Sequence, residues 1–256
     1  MTKILPVASG SSGNALLYTS GSANILIDAG SNTKTIKKAL ETQGLSLADL
    51  THVFITHTHT DHIAALSVML KHTPAKLYIS ENAYTEFYDY QERALTFAYG
   101  ETIDANGIAV RNFRTSHDSF GSVGYVLNDG RCDFGYCTDL GYVTEEVANA
   151  IKDCHTLYIE SNHDVEMLKR GPYPYFLKER ILSMTGHISN KECAALAVQL
   201  AQRKTKNFIL AHLSEQNNTP SKALLETENA LFKAGADESI RVFVAQKKNT
   251  NPPLCL

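Results

Sequence analysis

Short β-rich runs alternate with polar turns through the first third of the chain, at residues 4–7, 14–19, 24–28 and 52–56. Runs of that length and spacing predict a hairpin meander. Helical periodicity interleaves with them at 33–40, at 63–71, where Ile63, Leu66, Met69 and Leu70 supply the apolar face, and at 82–93. Further strands are expected at 76–79, 107–115, 122–127, 133–138 and 156–160, after which helix 191–202, strand 206–211, helix 220–234 and strand 241–245 follow in turn. Ser189 and Glu192 have capping-box spacing, Thr219 precedes a proline tolerated at the first helical position, and Gly235 suits a helix stop. No repeat, low-complexity tract or linker breaks the pattern, so one mixed α/β domain over residues 1–256 is expected.

Composition narrows the class. With 256 residues, 43% hydrophobic and 20% charged, the chain can bury a substantial core, which argues against disorder. Its longest apolar stretches, 4–7 and 63–70, fall well short of the ~18 to 20 residues that span a membrane. The start, Met1-Thr2-Lys3-Ile4, carries no apolar leader segment, so a cytoplasmic protein is expected. The formal charge of −3 leaves no global positive field, and any phosphate site must be local. Five cysteines without a C-x-x-C pair fit reduced thiols. Cys132 and Cys137 fall on one expected strand five residues apart and so face opposite sides, which excludes a metal pair.

The densest chemical signal is Thr56-His57-Thr58-His59-Thr60-Asp61-His62, directly after an expected strand. His57 and His59, two apart on extended backbone, point the same way. Asp61 and His62 stand where the next helix begins. Two neighbouring ligand groups result, as needed for two metal ions ~3.5 to 4 Å apart. An N-cap role for Asp61 beside solvated loop histidines is the alternative, but it accounts for one residue of the four.

This H-x-H-x-D-H pattern resembles the signature of the metallo-β-lactamase-fold hydrolases. The resemblance implies a four-layer αβ/βα sandwich with a metal site along one sheet edge, and three further ligands: a histidine, a bridging aspartate and a final histidine. His117, Asp139 and His212 stand in that order, each at the end of a β-rich run. By resemblance, one metal takes His57, His59, His117 and Asp139, and the other takes Asp61, His62, Asp139 and His212. Singly, a strand-end His or Asp is more often a turn or capping residue; the joint order favours ligands. Asp28, in Ile27-Asp28-Ala29-Gly30, matches the family's early aspartate and is expected to orient a ligating histidine, although alone it also reads as a turn residue. Imidazole-rich ligation suits zinc, while the carboxylates leave manganese open.

The fold hosts many chemistries, so the metal motif does not decide the substrate. Glu160-Ser161-Asn162-His163-Asp164, Gly171-Pro172-Tyr173-Pro174, Thr185-Gly186-His187-Ile188-Ser189-Asn190 and the opening Ser9-Gly10-Ser11-Ser12-Gly13-Asn14 are similar to the WalJ (YycJ) subgroup, nucleic-acid-cleaving, 5′-to-3′ exonuclease-like hydrolases. His187 resembles the non-ligand histidine of tRNA 3′-processing endonucleases, with Glu160 as the acid that orients it; a loop histidine and a strand-end charge are the bland equivalents. His187 also lies two residues before a capped helix start, whose N–H groups favour an anion. The expected catalytic residues are therefore Asp61, His187 and Glu160, with His187 donating a proton to the leaving oxygen. Ser11, Ser12, Asn14 and Ser189 are candidate phosphate contacts, a plain hairpin turn being the alternative for the first three. Basic clusters at Lys34/Lys37/Lys38, Lys169/Arg170 and 203–206 read most simply as solvated faces, and Tyr173 and Tyr175 as part of a stiff loop.

The expectation is a dinuclear metal-dependent phosphodiesterase cleaving nucleic acid, DNA rather than RNA, in which metal-activated hydroxide attacks phosphorus. A small-molecule metallohydrolase, such as a cyclic phosphodiesterase or glyoxalase-II-like thioesterase, is one alternative, and a non-catalytic metal-binding scaffold is another. Redox relatives replace the second histidine of the motif by glutamate, whereas His59 stands here. Asp139 and His212 are too close in sequence to admit the large inserted domain of some nucleases in the superfamily.

Overall fold

A computed structural model describes residues 1–249 and 251–256. The first half contributes β1 (Lys3–Ala8), β2 (Ala15–Ser20), β3 (Ala23–Ile27), α1 (Thr33–Thr42), β4 (His52–Phe54), α2 (Thr60–Ile63), α3 (Leu66–Met69), β5 (Lys76–Ser80) and β6 (Ala94–Phe97). The second half adds β7 (Thr102–Asp104), β8 (Ala109–Arg114), β9 (Val123–Asn128), β10 (Asp133–Cys137), α4 (Glu145–Ile151) and β11 (Thr156–Glu160). It continues with α5 (Val165–Arg170), α6 (Tyr175–Leu182), α7 (Asn190–Ala201), β12 (Asn207–Ala211), α8 (Pro220–Lys233), β13 (Arg241–Val244) and β14 (Leu254–Cys255).

These strands form two seven-stranded sheets, ordered β14-β1-β2-β3-β4-β5-β6 and β13-β12-β11-β10-β9-β8-β7. Between them lies an aromatic-rich core in which Tyr18, Phe54, Tyr125, Phe134, Tyr136 and Tyr158 are all buried. On the outer face of the first sheet, α1 sets Ile36 and Leu40, and α3 sets Leu66 and Met69, against the strands. On the outer face of the second, α4, α7 and α8 do the same with Val147, Ile151, Leu196 and Leu231. The result is a single-domain αβ/βα sandwich, with each fully buried large side chain contributing roughly 1.5–3 kcal/mol. No helix among the described residues is long and apolar enough to cross a membrane.

The hairpin meander expected for the first third holds only for β1, β2 and β3, which pair antiparallel. β4 lies parallel to β3 because α1 intervenes, and a helical crossover returns the chain in the same direction. The pattern over 63–71 folds as two short helices, α2 and α3, broken at Ala64–Ala65. Residues 82–93 form a 3-10 segment, Glu81–Tyr90, interrupted by non-helical backbone at Phe87. The short strands β6, β7 and β14 lacked a periodic signal. Cys132 lies outside β10, beside Asp129, so the strand-face argument does not apply to it; all five cysteines are free.

Parallel pairing controls where the chemistry lands. β3, β4, β5 and β6 run in one direction, as do β10, β11, β12 and β13. Their C-terminal ends therefore open on a common edge, the place where open α/β sheets offer loops to ligands.

Candidate metal centre

Backbone strain marks this edge. Among the described residues only four non-glycines adopt positive φ: Asp28 (61°), Asn106 (56°), Asp139 (59°) and His212 (53°). Three of them stand just past the C-terminal ends of β3, β10 and β12. Left-handed backbone at non-glycine residues costs of order 1–3 kcal/mol each and persists where the surroundings enforce it, typically at functional sites. The H-x-H-x-D-H segment follows β4, and His117 follows β8 on the facing sheet.

Two clusters result. His59 Nδ1 lies 3.1 Å from His57 Nε2 and 3.2 Å from His117 Nε2. A lone proton there serves one of these contacts well, whereas a cation between the three nitrogens serves all of them. Next to this trio, His212 Nε2 lies 3.5 Å from Asp61 Oδ2, and His62 Nε2 lies 3.6 Å from the same oxygen. Asp139 stands between the clusters: Oδ1 is 3.6 Å from His117 Nε2, and Oδ2 is 3.3 Å from His62 Nε2. Asp139 Oδ2 is buried without a hydrogen-bond partner among the described residues, a costly arrangement for a carboxylate unless a cation meets it. The donor set thus fits divalent metal.

The outward nitrogens support the same reading. His62 Nδ1 is 2.8 Å from Asp28 Oδ2, His212 Nδ1 is 2.8 Å from Glu160 Oε1, and His57 Nδ1 is 2.9 Å from Thr56 Oγ1. His117 Nδ1 faces the Gly186 carbonyl at 3.3 Å, and His59 Nε2 faces Asp118 Oδ1 at 3.6 Å. A partner on the outer nitrogen sets ring orientation and tautomer, leaving the inner lone pair for a metal. Asp28 is itself held by the Thr56 amide, the Thr56 hydroxyl and the Tyr136 hydroxyl. Gly30 lets this loop approach: a Cβ there would sit 1.5 Å from the Asp61 carbonyl oxygen.

Charge divides the site into unlike halves. Burial, reinforced by the surrounding imidazoles, pulls His57 well below the usual histidine range, and burial also lowers His59 and His117. That half is a neutral imidazole trio. In the other half burial opposes the charge on His62, but Asp28, Asp139 and Asp61 outweigh it and hold His62 up to about 9. Burial likewise opposes the charge on His212, which Asp139, Asp61 and Glu160 raise well above the usual range. Asp61, Asp139 and Glu160 are lowered despite their burial, through neighbouring imidazoles. A divalent ion in this half would take the place of protons.

His187 and Glu160 complete the edge. Glu160, fully buried at the end of β11, takes His187 Nδ1 and His212 Nδ1 on Oε1, each at 2.8 Å. Its Oε2 accepts the Leu140 and Ile188 amides. The His187 ring stands 5.2 Å from the rings of both His117 and His212. Its Nε2 makes no hydrogen bond among the described residues, and its side chain is 15% exposed.

The four candidate phosphate contacts separate. Ser11 and Ser12 sit at the exposed tip of the β1–β2 hairpin turn, which the Gly13 amide closes on the Gly10 carbonyl. Asn14 is buried and directs its side-chain amide to Asp61 Oδ2 and His62 Nε2. Ser189 is taken up by its capping box with Glu192, which satisfies much of the α7 start that was expected to favour an anion. Residues not singled out in the sequence also contribute: Thr56, Asp118, and Arg180, which grips Asp118 through two hydrogen bonds of 2.5 and 3.0 Å. A Thr beside a His or an Asp beside a His carries no periodic signal, and Arg180 lies 62 positions from its partner.

Residues 23–213 match the Beta-lactamase superfamily domain. Exodeoxyribonuclease WalJ of Streptococcus pneumoniae is 32% identical over 256 residues, covering 96% of this chain and 95% of the relative. Exodeoxyribonuclease YycJ of Bacillus anthracis is 31% identical over 234 residues, covering 90% and 89%. Among solved structures, the metallo-β-lactamase fold protein YhfI of Bacillus subtilis superposes with a TM-score of 0.73 at 16% identity, covering 97% of this chain and 98% of its own. The chain belongs to the beta-lactamase superfamily, as a metal-dependent hydrolase.

Proposed function

We propose that this hydrolase is a dinuclear phosphodiesterase acting on DNA, with 5′-to-3′ exonuclease-like action. One ion would be held by His57, His59, His117 and Asp139, and the other by Asp61, His62, Asp139 and His212. Zinc suits the imidazoles, and manganese is compatible with the carboxylates. Divalent ions, when bound, supply Lewis acidity toward phosphoryl oxygens and lower the pKa of water.

The observation that carries the phosphodiester reading is His187. It lies beside both clusters, has one nitrogen fixed on Glu160 at 2.8 Å, and keeps the other without a partner among the described residues. That is the arrangement of a general acid, with Glu160 fixing the ring so that Nε2 faces the site. An alkoxide departing from phosphorus needs a proton; the thiolate departing from a thioester leaves unaided. The two relatives named exodeoxyribonuclease over nearly the whole chain support DNA as the substrate. Ser11 and Ser12, exposed at the tip of the β1–β2 turn, are the candidates kept for a neighbouring phosphate, whereas Asn14 and Ser189 serve the framework.

His187→Ala tests this reading. The variant is expected to keep wild-type metal content while losing turnover on 5′-labelled DNA by about 10²- to 10⁴-fold. Loss of metal instead makes His187 a ligand and removes the acid role. Bis-p-nitrophenyl phosphate and a glutathione thioester, assayed beside the DNA, separate phosphodiester from thioester chemistry.

A further inference from the structure

Of the three basic clusters in the sequence, two are partly paired in the fold. Lys169 and Arg170 pair with Glu166, and Lys206 pairs with Asp237. Lys34 and Lys38 differ. One turn apart on α1, they share a face, and neither has an ion pair or hydrogen bond among the described residues. That face forms one wall of a groove of about 1060 Å³, floored by β1 through Leu5 and Val7. Lys3 and Lys248 line it too, and no acidic side chain does among the described residues. In a chain of net charge −3, four ammonium groups without a carboxylate make a local positive channel.

The groove connects to the candidate metal centre through two short stretches of chain. Asn32, the N-cap of α1, lines the groove and lies two residues past Gly30, which packs on the Asp61 backbone. β1 runs from the groove floor into Ser9, whose hydroxyl accepts the His212 amide at 2.8 Å. The Asn249 amide, from the residue after Lys248, bonds the Val7 carbonyl at 3.2 Å. From Asn32 the groove follows α1, which at ~1.5 Å per residue is ~15 Å long, away from the site. At a rise of ~3.4 Å per nucleotide, that accommodates about four nucleotides.

We infer that this groove holds the single strand of DNA next to the phosphodiester being cut, with lysines on the phosphates. The inference rests on the nuclease reading and adds the path of the substrate.

The test is a Lys34→Glu/Lys38→Glu double variant, with Lys37→Glu, on the same helix but outside the groove, as control. In the double variant kcat/KM on a single-stranded 20-mer is expected to fall about tenfold or more at low salt. The slope of log affinity against log salt, from anisotropy of the labelled 20-mer, should flatten by roughly 1.4, at ~0.7 per phosphate contact on single strands. A dinucleotide and bis-p-nitrophenyl phosphate, too short to enter the groove, should be hydrolysed at the wild-type rate, which also shows that the variant folds. An unchanged 20-mer rate and salt slope overturn the groove and leave the nuclease reading standing. So does a change in oligomeric state at wild-type DNA affinity, which assigns the face to self-association. A wild-type chain that neither binds nor cleaves DNA overturns both.

Discussion

Glu160→Gln isolates the buried carboxylate that connects the proposed acid to the proposed metal ligands. In the native protein Oε1 receives two imidazole N–H groups at 2.8 Å, and Oε2 receives the Leu140 and Ile188 amides at 3.0 and 3.2 Å. Glutamine keeps the shape but offers one acceptor oxygen. Whichever way it sits, its NH₂ faces two donors, and each buried donor left unpaired costs about 1–3 kcal/mol. The two losses share one side chain and are not strictly additive, so about 2–4 kcal/mol is expected overall. If the amide oxygen keeps the backbone pair, His212 loses its Nδ1 acceptor and can move its proton to Nε2, the nitrogen that faces Asp61. Ligands deprived of such a partner typically weaken metal binding 10- to 100-fold. Zinc titration against a competing chelator, together with urea unfolding of the metal-free protein, reads both consequences. Glu160→Gln should lose metal affinity where His187→Ala does not. A Glu160→Gln protein with wild-type metal affinity and turnover would refute the view that one carboxylate serves both imidazoles.

Two other perturbations probe the framework. Gly30→Ala places a methyl 1.5 Å from the Asp61 carbonyl oxygen, so Asp61 must move; unfolding free energy should drop by about 3 kcal/mol or more, with loss of metal. Gly44→Ala, at φ 71° with open space around it, should cost only about 1–2 kcal/mol in the same urea assay; equal losses would refute the steric argument. Burial resists ionisation of Asp129, but bonds from Thr2, the Cys132 amide and Arg131 outweigh it and hold the carboxyl below the usual range. A depressed folded value means that its stabilisation is fully present above the unfolded value of ~3.9 and fades as pH falls below it. Asp129→Asn should therefore be less stable than wild type at pH 7, with the gap closing below about pH 4; a gap independent of pH would count against it.

How far the site was legible depended on whether partners were local or distant in the chain. His57, His59, Asp61 and His62 declare themselves because a strand end and a helix start bring candidate ligands together over six residues. His117, Asp139 and His212 were visible only as strand-end residues in a familiar order, and the two parallel runs of strands supply the reason they meet: each run carries its C-terminal ends to the same edge. The parallel turn itself was misread at β4, since alternation in 52–56 reports a strand but not its direction, and direction is set by the α1 crossover. Partnerships across the fold left no trace in any window. Asp118 and Arg180 are 62 positions apart, and the second duty of Glu160, toward His212, spans 52. Ser189 shows the converse. Its capping-box spacing was readable from four residues, and the bonds that make the box are those that take its hydroxyl away from a phosphate. A local motif and a binding role drew on the same atoms, and the local one, closed within a single helical turn, has no loop-closure entropy to overcome. The lysines of α1 had no such competitor: among the described residues nothing neutralises Lys34 or Lys38, and an unpaired charged face of this kind is what the proposed polyanionic substrate requires.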